Sequence, residues 1–279
     1  MRAAVVGRPV GHSLSPVLHR AAYAALGLPG WSYDALDLGA EDLPVLLAGL
    51  GEEWRGFSVT MPCKQAAAAV ADERADLVAL LGAANTLLRT PAGWRAENTD
   101  VAGVGMALQL AGVDAVDRAA VLGGGGTAAA AAAALASLGA RHVEVVVRDP
   151  DRAADLLAVL RALDVAVSVS RLPDPAVPPG RHARPPEPLD VPVVVSALPV
   201  DGQPAAAALP WRADQVVLDV LYAPWPTALA ASVERAGGTV VSGAEVLFWQ
   251  ATEQVELMTG QPAPLGAMRS ALDAALADR

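Results

Sequence analysis

The sequence has few residues of several types, and each shortage excludes a class of protein. A single cysteine, Cys63, cannot form a disulfide within the chain, so we expect a reducing, cytoplasmic setting. The chain carries 20 Lys+Arg against 30 Asp+Glu, a formal net charge of −10, and its arginines are scattered. Binding to nucleic acid depends on clustered cations, and we therefore expect no nucleic-acid partner.

Charged residues are missing from a window of 22 residues, 119–140, which is long enough to span a membrane. The window contains Gly123–Gly126 and then an almost pure alanine run, with few larger aliphatic side chains to drive insertion. It therefore predicts a glycine turn followed by a buried helix, and no membrane partner. Gly7 and Pro9 also interrupt the N-terminal residues before the apolar segment of a signal peptide could develop.

Isoleucine is absent, lysine occurs once and asparagine twice, whereas 61 of the 279 residues are alanine. The basic residues are 19 arginines and Lys64, and the asparagines are Asn85 and Asn98. When a compositional bias has replaced a residue type almost everywhere, the positions that keep it are candidates for a role that no substitute fills. Lys64 and the two asparagines are therefore candidate functional residues.

The length and a hydrophobic content of 53% predict two domains with buried cores. Short β-branched runs alternate with helical stretches rich in Ala and Leu, which predicts an α/β protein with largely parallel sheets. The predicted strands are Ala3–Gly7, Ser32–Leu38, Gly56–Met61, Asn85–Arg89, Ala119–Leu122, Val143–Val147, Val165–Val169, Val193–Ser196, Val216–Asp219 and Thr239–Val241. The predicted helices are Pro16–Leu26, Asp42–Leu50, Lys64–Val70, Ala75–Leu81, Val104–Ala111, Ala128–Leu138, Arg152–Leu160, Thr227–Ala236, Ala244–Met258 and Pro264–Ala277. A proline-rich segment, residues 172–192, predicts a surface loop inside the second domain.

A strand, a glycine turn and a helix are predicted in succession around Gly123–Thr127. Glycines let the backbone approach a pyrophosphate, and the N-terminus of the following helix offers amide N–H groups and a partial positive charge. The turn therefore predicts a dinucleotide site. A tight strand–helix connection is the alternative, because Ala128 stands where a third glycine is usual.

The next predicted strand ends at Val147, where dinucleotide-binding domains read the adenosine ribose. Arg148 and Arg152 follow, and arginine suits the 2′-phosphate of NADP, whereas an acidic residue at the strand end favours the free hydroxyl of NAD. The sequence therefore predicts NADP. NAD stays open, because Asp149 would repel a 2′-phosphate if its side chain pointed inward, and both arginines can also be solvated surface charges.

Three polar clusters lie at the ends of predicted strands in the first hundred residues: Gly11–Pro16, Phe57–Lys64, and Asn85–Thr86 with Glu97–Asp100. The carboxyl ends of strands converge on the ligand crevice of an α/β sheet, so we expect these clusters to share one cleft. Lys64 opposite Asp100 would form an acid–base pair, while Ser13 and Ser15 could donate two hydrogen bonds to a carboxylate. The clusters indicate recognition of a small polyhydroxylated acid, with a structural ion pair as the alternative for Lys64 and Asp100.

A series of motifs runs along the chain: His12-Ser13-Leu14-Ser15-Pro16, Ser58-Val59-Thr60-Met61-Pro62-Cys63-Lys64, Ala84-Asn85-Thr86, Asn98-Thr99-Asp100, Gly123–Thr127, Leu221-Tyr222 with Pro226-Thr227, and Ser242-Gly243 with Gln250. Together they resemble the shikimate dehydrogenase family over nearly the whole chain. The resemblance implies an α/β fold with a substrate-binding and catalytic domain, residues 1–102 and 243–279, and an NADP-binding Rossmann domain, residues 103–242. The implied reaction is the reversible NADPH-dependent reduction of 3-dehydroshikimate to shikimate, a step in aromatic amino-acid biosynthesis.

The resemblance also implies a role for individual residues. Lys64 would be the acid/base residue, supported by Asp100, and Ser13 and Ser15 would bind the substrate carboxylate. The other implied substrate contacts are Thr60, Asn85, Tyr222 and Gln250. The implied cofactor contacts are Gly123, Gly124, Gly125, Gly126, Thr127, Val147, Arg148, Arg152, Val220, Gly243 and Asp76. The family needs no metal.

Some positions depart from the family pattern, and alternative cofactors, substrates and activities therefore stay open. Ser58 replaces a common Asn, and Val147 replaces an Asn that can contact the ribose, so NAD remains an alternative cofactor. A paralogue that acts on quinate or on an aminated shikimate fits the same ring contacts. A relative that only senses the cofactor or shikimate is the non-catalytic alternative, against which the retained Lys64 and Asp100 argue. We expect a monomer or a homodimer.

Overall fold

The computed structural model describes residues 1–173 and 189–279, and the chain folds into two compact units. The first unit comprises Met1–Asp100 and Leu247–Arg279, and the second comprises Val101–Val246. The sequence-based boundaries fall after residue 102 and before residue 243, and the assignment of one domain to substrate and the other to NADP stays a prediction. Of the proline-rich loop predicted over 172–192, residues 174–188 lie outside the described residues.

Helices and strands alternate along the chain. The strands are β1 (Arg2–Gly7), β2 (Ser32–Asp37), β3 (Trp54–Val59), β4 (Glu73–Arg74), β5 (Thr86–Thr90), β6 (Gly93–Glu97), β7 (Arg118–Leu122), β8 (His142–Val147), β9 (Ala166–Arg171), β10 (Val193–Ser196), β11 (Val216–Asp219) and β12 (Thr239–Ser242). The helices are α1 (Ser15–Ala25), α2 (Leu43–Ala48), α3 (Lys64–Val70), α4 (Asp76–Leu81), α5 (Asp100–Leu110), α6 (Gly126–Ser137), α7 (Ala154–Ala162), α8 (Gln203–Ala207), α9 (Ala228–Arg235), α10 (Gly243–Thr259) and α11 (Leu265–Ala277). The predicted α/β class is confirmed.

The sheet of the first unit is mixed, in the order β2-β1-β3-β5-β6-β4. Its strands β1, β2 and β3 are parallel, whereas β5 runs antiparallel to both β3 and β6. The expectation of a largely parallel sheet holds for three of the five strand pairs, including β4 with β6, and fails at β5. The antiparallel pair β5–β6 is a hairpin whose tight turn ends at Gly93, with a φ of 129° that side chains rarely adopt. Sequence analysis missed β6, in which only Trp94 and Ala96 face inward, and the two-residue β4.

The sheet of the second unit has the order β12-β11-β10-β7-β8-β9, and every neighbouring pair is parallel. The winding reverses on either side of β7, and open parallel sheets bind ligands at such a switch point, outside the carboxyl ends of the strands. The glycine turn directly follows β7, so the topology places it at this point. Sequence analysis missed α8, a five-residue helix with Pro204 in its first turn.

The two units bury different kinds of side chain. The core of the first unit includes large aromatic rings, among them Trp54 and Phe57, which stack with centroids 4.9 Å apart. In the second unit, all seven alanines from Ala128 to Ala134 on α6 are buried. Small side chains let a helix approach neighbouring backbone closely, which is how a charge-free segment becomes part of a core. Across the described residues, none of the helices combines the length and apolar character that crossing a membrane requires.

Candidate active site

Lys64 and Asp100 form an ion pair in the first unit, each as the first residue of a helix. Lys64 begins α3 and Asp100 begins α5, where the helix dipole favours a carboxylate. Lys64 Nζ donates to Asp100 Oδ2 at 2.6 Å, and the two side chains are only 18% and 11% exposed. Solvent screens such a pair less than it screens a surface pair, so the carboxylate fixes the position of the ammonium. The remaining exposure leaves the ammonium accessible to a small molecule.

Asn85 binds the other oxygen of the Asp100 carboxylate. Its Nδ2 donates to Asp100 Oδ1 at 2.8 Å and to Thr99 Oγ1 at 2.9 Å, and lies 3.3 Å from Gln250 Oε1. Its Oδ1 accepts from the Thr99 N–H at 2.8 Å and from the Thr86 hydroxyl at 2.9 Å. Because donors surround the amide oxygen, Asn85 presents only N–H groups to Asp100.

Asn98, the other asparagine, also supports this site. Its Oδ1 accepts from the Asp100 N–H at 3.1 Å, and its Nδ2 donates to the Ala83 carbonyl at 2.9 Å. Both asparagines that the biased composition retains therefore contact Asp100 directly. Four of the predicted residues, Lys64, Asp100, Asn85 and Gln250, are joined by hydrogen bonds in this cluster.

A buried network that sequence analysis missed lies behind Asn85. The Tyr33 hydroxyl donates to Ser58 Oγ at 2.5 Å, and the Ser58 hydroxyl donates to Gln254 Oε1 at 2.6 Å. Gln254 Nε2 donates to Thr86 Oγ1 at 2.8 Å and to the Asn85 carbonyl at 3.1 Å. These bonds connect β2, β3, β5 and α10 through polar side chains.

His19 closes the network on its other side. Its Nε2 lies 3.3 Å from Gln254 Oε1, and its ring stacks on Tyr33 with centroids 4.1 Å apart. Burial lowers the pKa of His19 to about 3 and raises the pKa of Tyr33 above its ordinary value, so both groups are neutral near pH 7. Gln254 follows Gln250 by four residues on α10, and this spacing on one helix face is the sequence signal that could have found it.

The predicted carboxylate-binding serines lie at the start of α1. Ser13 is half-buried and Ser15 is buried, and Ser13 Oγ accepts from the Ser15 N–H at 3.2 Å. Thr60 is half-buried directly after β3, and its methyl group lies where a Cβ on Gly7 would be.

The glycine turn of the second unit joins β7 to α6. Gly123 has a φ of 109°, and a Cβ there would lie 3.1 Å from the Ala197 carbonyl oxygen, so both the backbone conformation and the available space favour glycine. Gly125 is the N-cap of α6 in an extended conformation, and no side chain caps the helix. The first-turn N–H groups of a helix lack intrahelical partners, and such N–H groups bind phosphate. The local geometry fits a dinucleotide pyrophosphate.

The residues after β8 are predicted to read the adenosine ribose. Val147 is buried, and its carbonyl accepts from the Leu172 N–H at 3.0 Å. The Arg148 guanidinium is half-exposed and lies 3.2 Å from the Asp201 carboxylate. The side chain of Arg152 lies outside the described part of the chain.

Asp149 has a local structural role. Its Oδ1 accepts from the Asp151 N–H at 3.1 Å and caps the single turn Pro150–Ala153. The carboxylate that would oppose a 2′-phosphate is therefore engaged with the backbone of its own turn.

Val220 and Gly243 lie against each other in the second unit. A Cβ on Gly243 would overlap the Val220 carbonyl, and the Gly243 N–H donates to the Leu221 carbonyl at 3.1 Å. Buried Asp219, another residue that sequence analysis missed, accepts from the Thr227 hydroxyl at 2.7 Å and from the Leu221 N–H at 3.2 Å. Burial raises the pKa of Asp219 above its ordinary value.

Two predicted residues fall in the unit opposite to the rest of their group. Tyr222, a predicted substrate contact, is half-buried in the second unit. Asp76, a predicted cofactor contact, is exposed at the start of α4 in the first unit. Among the residues that the structure describes, no group of three or more His, Cys, Asp and Glu side chains could hold a metal ion.

Comparison with known proteins gives consistent results. The family model described as the shikimate dehydrogenase substrate binding domain matches residues 5–87, and that of the shikimate 5′-dehydrogenase C-terminal domain matches residues 243–272. The NADP(+) shikimate dehydrogenase of Anaeromyxobacter sp. (strain K) is 38% identical over 287 residues, covering 97% of this chain and 95% of that protein.

Two solved structures are similar over almost their whole length. The crystal structure of Mycobacterium tuberculosis shikimate dehydrogenase has 45% sequence identity and a TM-score of 0.84, covering 98% of this chain and 99% of that one. Shikimate 5-dehydrogenase of Thermus thermophilus, solved in complex with NADP(H) and shikimate, has 32% identity and a TM-score of 0.81, covering 99% of both chains.

Proposed function

The chain belongs to the shikimate dehydrogenase family, and from that premise we propose that it is an NADP-dependent shikimate dehydrogenase. It catalyses the reversible reduction of the 3-dehydroshikimate ketone to the hydroxyl of shikimate. The observation that carries this proposal is the Lys64–Asp100 ion pair, formed by the only lysine of the chain and held by Asn85.

Lys64 acts as the acid/base group in this proposal. NADPH supplies the hydride when it is bound. As the ketone is reduced, its oxygen gains negative charge, and Lys64 Nζ donates a proton to it. Such help from a positioned acid is worth about 10²–10⁴-fold in rate. In the oxidation direction, the same nitrogen accepts the proton as a free amine.

The acid/base role of Lys64 explains both the carboxylate of Asp100 beside it and the choice of lysine over arginine at this position. Asp100 holds the ammonium at 2.6 Å, so that Lys64 Nζ has one position from which to donate. Arginine does not release its proton near neutral pH, which explains why a chain with 19 arginines retains a lysine here.

The substrate contacts are proposed mainly in the polar clusters of the first unit. Ser13 and Ser15 bind the carboxylate, supported by the hydrogen bond from the Ser15 N–H to Ser13 Oγ, which holds the two residues together at the approach to α1. Asn85, Gln250 and Thr60 bind ring hydroxyls, as does Tyr222 of the second unit. The direct hydrogen bond between Asn85 and Asp100 supports a common role in orienting the ring next to Lys64.

The cofactor contacts are proposed on residues 103–242, which lie within the second unit, with Gly243 and Asp76 as additional contacts. The uncapped start of α6 and the close approach allowed by Gly123 support binding of a pyrophosphate by Gly123–Thr127. Val220 and Gly243 are proposed to line the nicotinamide, supported by their close packing, in which the Val220 carbonyl occupies the space that a Cβ on Gly243 would take. Substrate binding is proposed for residues 1–102 and 243–279.

NADP is the cofactor, and Arg148 with Arg152 is proposed to bind its 2′-phosphate. The local cap formed by Asp149 supports this choice, because that carboxylate is engaged with the Asp151 N–H. Val147 has a buried side chain, and its contact with the cofactor is therefore proposed for the backbone.

The relatives reported above are named for shikimate, which favours shikimate over quinate or an aminated shikimate. The retained Lys64 favours an enzyme over a sensor, since a sensor does not need an acid/base lysine. We further propose a cytoplasmic location, supported by the buried free thiol of Cys63, a role in aromatic amino-acid biosynthesis, and a monomer or homodimer.

One assay tests the proposal. Purified protein is mixed with shikimate or quinate and with NADP or NAD, and the formation of reduced nicotinamide is followed by absorbance. We expect the highest kcat/KM with shikimate and NADP. Turnover with quinate alone would assign the paralogue, and shikimate binding without turnover in any of the four mixtures would assign the sensor.

A further inference from the structure

We propose that Gln254 is a positioning residue for the Lys64–Asp100 pair, which it orients through Thr86 and Asn85. The inference rests on the proposed function, since it adds a residue to the machinery of proton transfer. Gln254 is fully buried, so it does not itself contact a substrate. Its influence passes through hydrogen bonds alone.

The Gln254 side chain is fixed by partners on both ends of its amide. Its Oε1 accepts from the Ser58 hydroxyl at 2.6 Å and lies 3.3 Å from His19 Nε2. Neutral His19 donates to this oxygen in the tautomer that carries its proton on Nε2. Gln254 Nε2 donates its two N–H groups to Thr86 Oγ1 and to the Asn85 carbonyl. A buried amide with these partners has one favourable orientation.

This orientation determines where the Thr86 hydroxyl points. Thr86 Oγ1 accepts from Gln254, and its single proton is directed to Asn85 Oδ1 at 2.9 Å. The bond identifies the oxygen end of the Asn85 amide, so its nitrogen end faces Asp100 Oδ1 at 2.8 Å. In the flipped amide, oxygen would face the Asp100 carboxylate and repel it.

Asn85 and Lys64 then hold the carboxylate from opposite sides. Asn85 donates to Asp100 Oδ1 and Lys64 donates to Oδ2, so each oxygen has one donor side chain among these contacts. If the amide flips, Asp100 loses one donor and is free to rotate away from the geometry that positions the ammonium. The Thr99 N–H bond to Asn85 Oδ1 still favours the correct orientation, so the loss of Gln254 has a partial effect.

The test compares Gln254→Met and Thr86→Val with the wild-type protein. Met has a similar length and no hydrogen-bonding amide, and Val keeps the shape of Thr without its hydroxyl. We expect either change to lower kcat by about tenfold, the cost of one weakened hydrogen bond to a charged group, with a smaller change in KM for shikimate. Since both act on the same contact, the double variant should lose no more than the worse single variant.

Gln215→Met is the matched control. Gln215 is equally buried, and its Nε2 donates to the Leu189 and Val191 carbonyls within the second unit. This change should lower the melting temperature as Gln254→Met does, yet leave kcat unchanged. It thus separates the loss of any buried glutamine from the loss of this one.

The single lysine provides a readout that is independent of turnover. Protein labelled with ¹⁵N-lysine gives one side-chain signal, from Lys64. We expect its ammonium protons to exchange faster with water in Gln254→Met and Thr86→Val than in wild type or Gln215→Met. If Gln254→Met does not fold, the same measurement on Thr86→Val decides.

The outcomes distinguish the two proposals. A folded wild-type protein without shikimate turnover overturns the proposed function. An active wild type whose variants keep both kcat and the lysine exchange rate overturns the role of Gln254 alone. Additive losses of kcat in the double variant overturn the relay through Thr86, because Gln254 would then act on Asn85 through its direct bond to the Asn85 carbonyl instead.

Discussion

The two units build their candidate sites in opposite ways. In the first unit the site consists of side-chain atoms, and a continuous set of hydrogen bonds runs from Tyr33 through Gln254 and Asn85 to Lys64. In the second unit the site consists of backbone, where side chains are absent at Gly123–Gly126 and at Gly243; Gly125 and Gly126 are exposed, and Gly123 and Gly243 pack against neighbouring backbone. The first site is therefore damaged when atoms are removed, and the second when atoms are added.

The two units also differ in a buried ionisable group, which is a base in the first unit and an acid in the second. The first unit buries a base, His19, whose pKa is lowered to about 3, whereas the second buries an acid, Asp219, whose pKa is raised. In both cases burial is the largest cause and favours the neutral form. His19 and Asp219 should therefore contribute to the pH dependence of stability with opposite signs.

Removal of the Lys64 amine should have the largest effect of all. Lys64→Ala should lower kcat by about 10²–10⁴-fold, the value of a positioned acid, and change shikimate affinity by less than about tenfold. Steady-state kinetics together with calorimetric binding of shikimate measure both quantities. An unchanged kcat would contradict the assigned role.

Lys64→Arg is the control for this change. Arginine keeps a positive charge opposite Asp100 but does not release a proton near neutral pH. We expect kcat to stay as low as in the alanine variant. If the arginine variant kept most of its activity, charge alone would be sufficient and proton transfer by Lys64 would be wrong.

Addition of one methyl group should damage the second unit next most strongly. Gly243→Ala places a Cβ onto the Val220 carbonyl, which is backbone and cannot rotate away. We expect a loss of stability of about 1–3 kcal/mol, typical of overpacking, together with a raised KM for NADP. Thermal unfolding and cofactor titration measure the two effects.

Gly105→Ala is the matched control in the same unit. A Cβ at Gly105 on α5 would meet nothing within 4 Å, and alanine favours a helix over glycine by up to about 1 kcal/mol. This variant should therefore be slightly more stable and bind NADP normally. A similar loss in both variants would mean that the contact with Val220 does not explain the effect.

The sequence predicted both sites because both left rare signals in a biased composition. One lysine, two asparagines and a run of four glycines mark the positions that alanine and arginine could not occupy. Gln254 and Asp219 left no such signal, because aspartate is common here and Gln254 is one of seven glutamines. The role of Gln254 arises only from its contact with Thr86 and Asn85, which are distant in the chain. The β5–β6 hairpin was missed for a similar reason, since Trp94 and Ala96 alone give too short an alternation.

The opposite effects of pH on the stability contributions of His19 and Asp219 can be measured separately, because the two residues lie in different units. His19 stays neutral in the folded protein, so its contribution to stability is complete above its ordinary pKa of 6.5 and is lost as pH falls toward 3. The slope approaches about 1.4 kcal/mol per pH unit for one proton. Asp219 contributes with the other sign, because its pKa is raised and the second unit loses stability as pH rises through it.

Hydrogen exchange at several pH values separates the two units. Protection factors in the first unit, which correct for the intrinsic slowing of exchange in acid, should fall between pH 6.5 and pH 4 in wild type, and less so in His19→Phe, which keeps a ring against Tyr33. The comparison of wild type with variant cancels the contribution of the other carboxylates. Equal acid sensitivity in both proteins would contradict the assigned neutrality of His19.

The smallest effect is expected at Arg148, where the second unit does rely on a side chain. The guanidinium is half-exposed and already paired with Asp201 at 3.2 Å, so solvent and a competing carboxylate both weaken its hold on a 2′-phosphate. Arg148→Ala should lower the preference for NADP over NAD by about tenfold or less, as measured by kcat/KM with each cofactor. Arg118→Ala, at the start of β7 and with an equally exposed partner Asp190, should leave the preference unchanged. Asp201→Asn should raise the preference for NADP over NAD, because Arg148 then loses the carboxylate that competes with the 2′-phosphate. A fall in preference with Asp201→Asn would mean that the ion pair positions Arg148 for the phosphate, and the second unit would then depend on side-chain contacts as the first does.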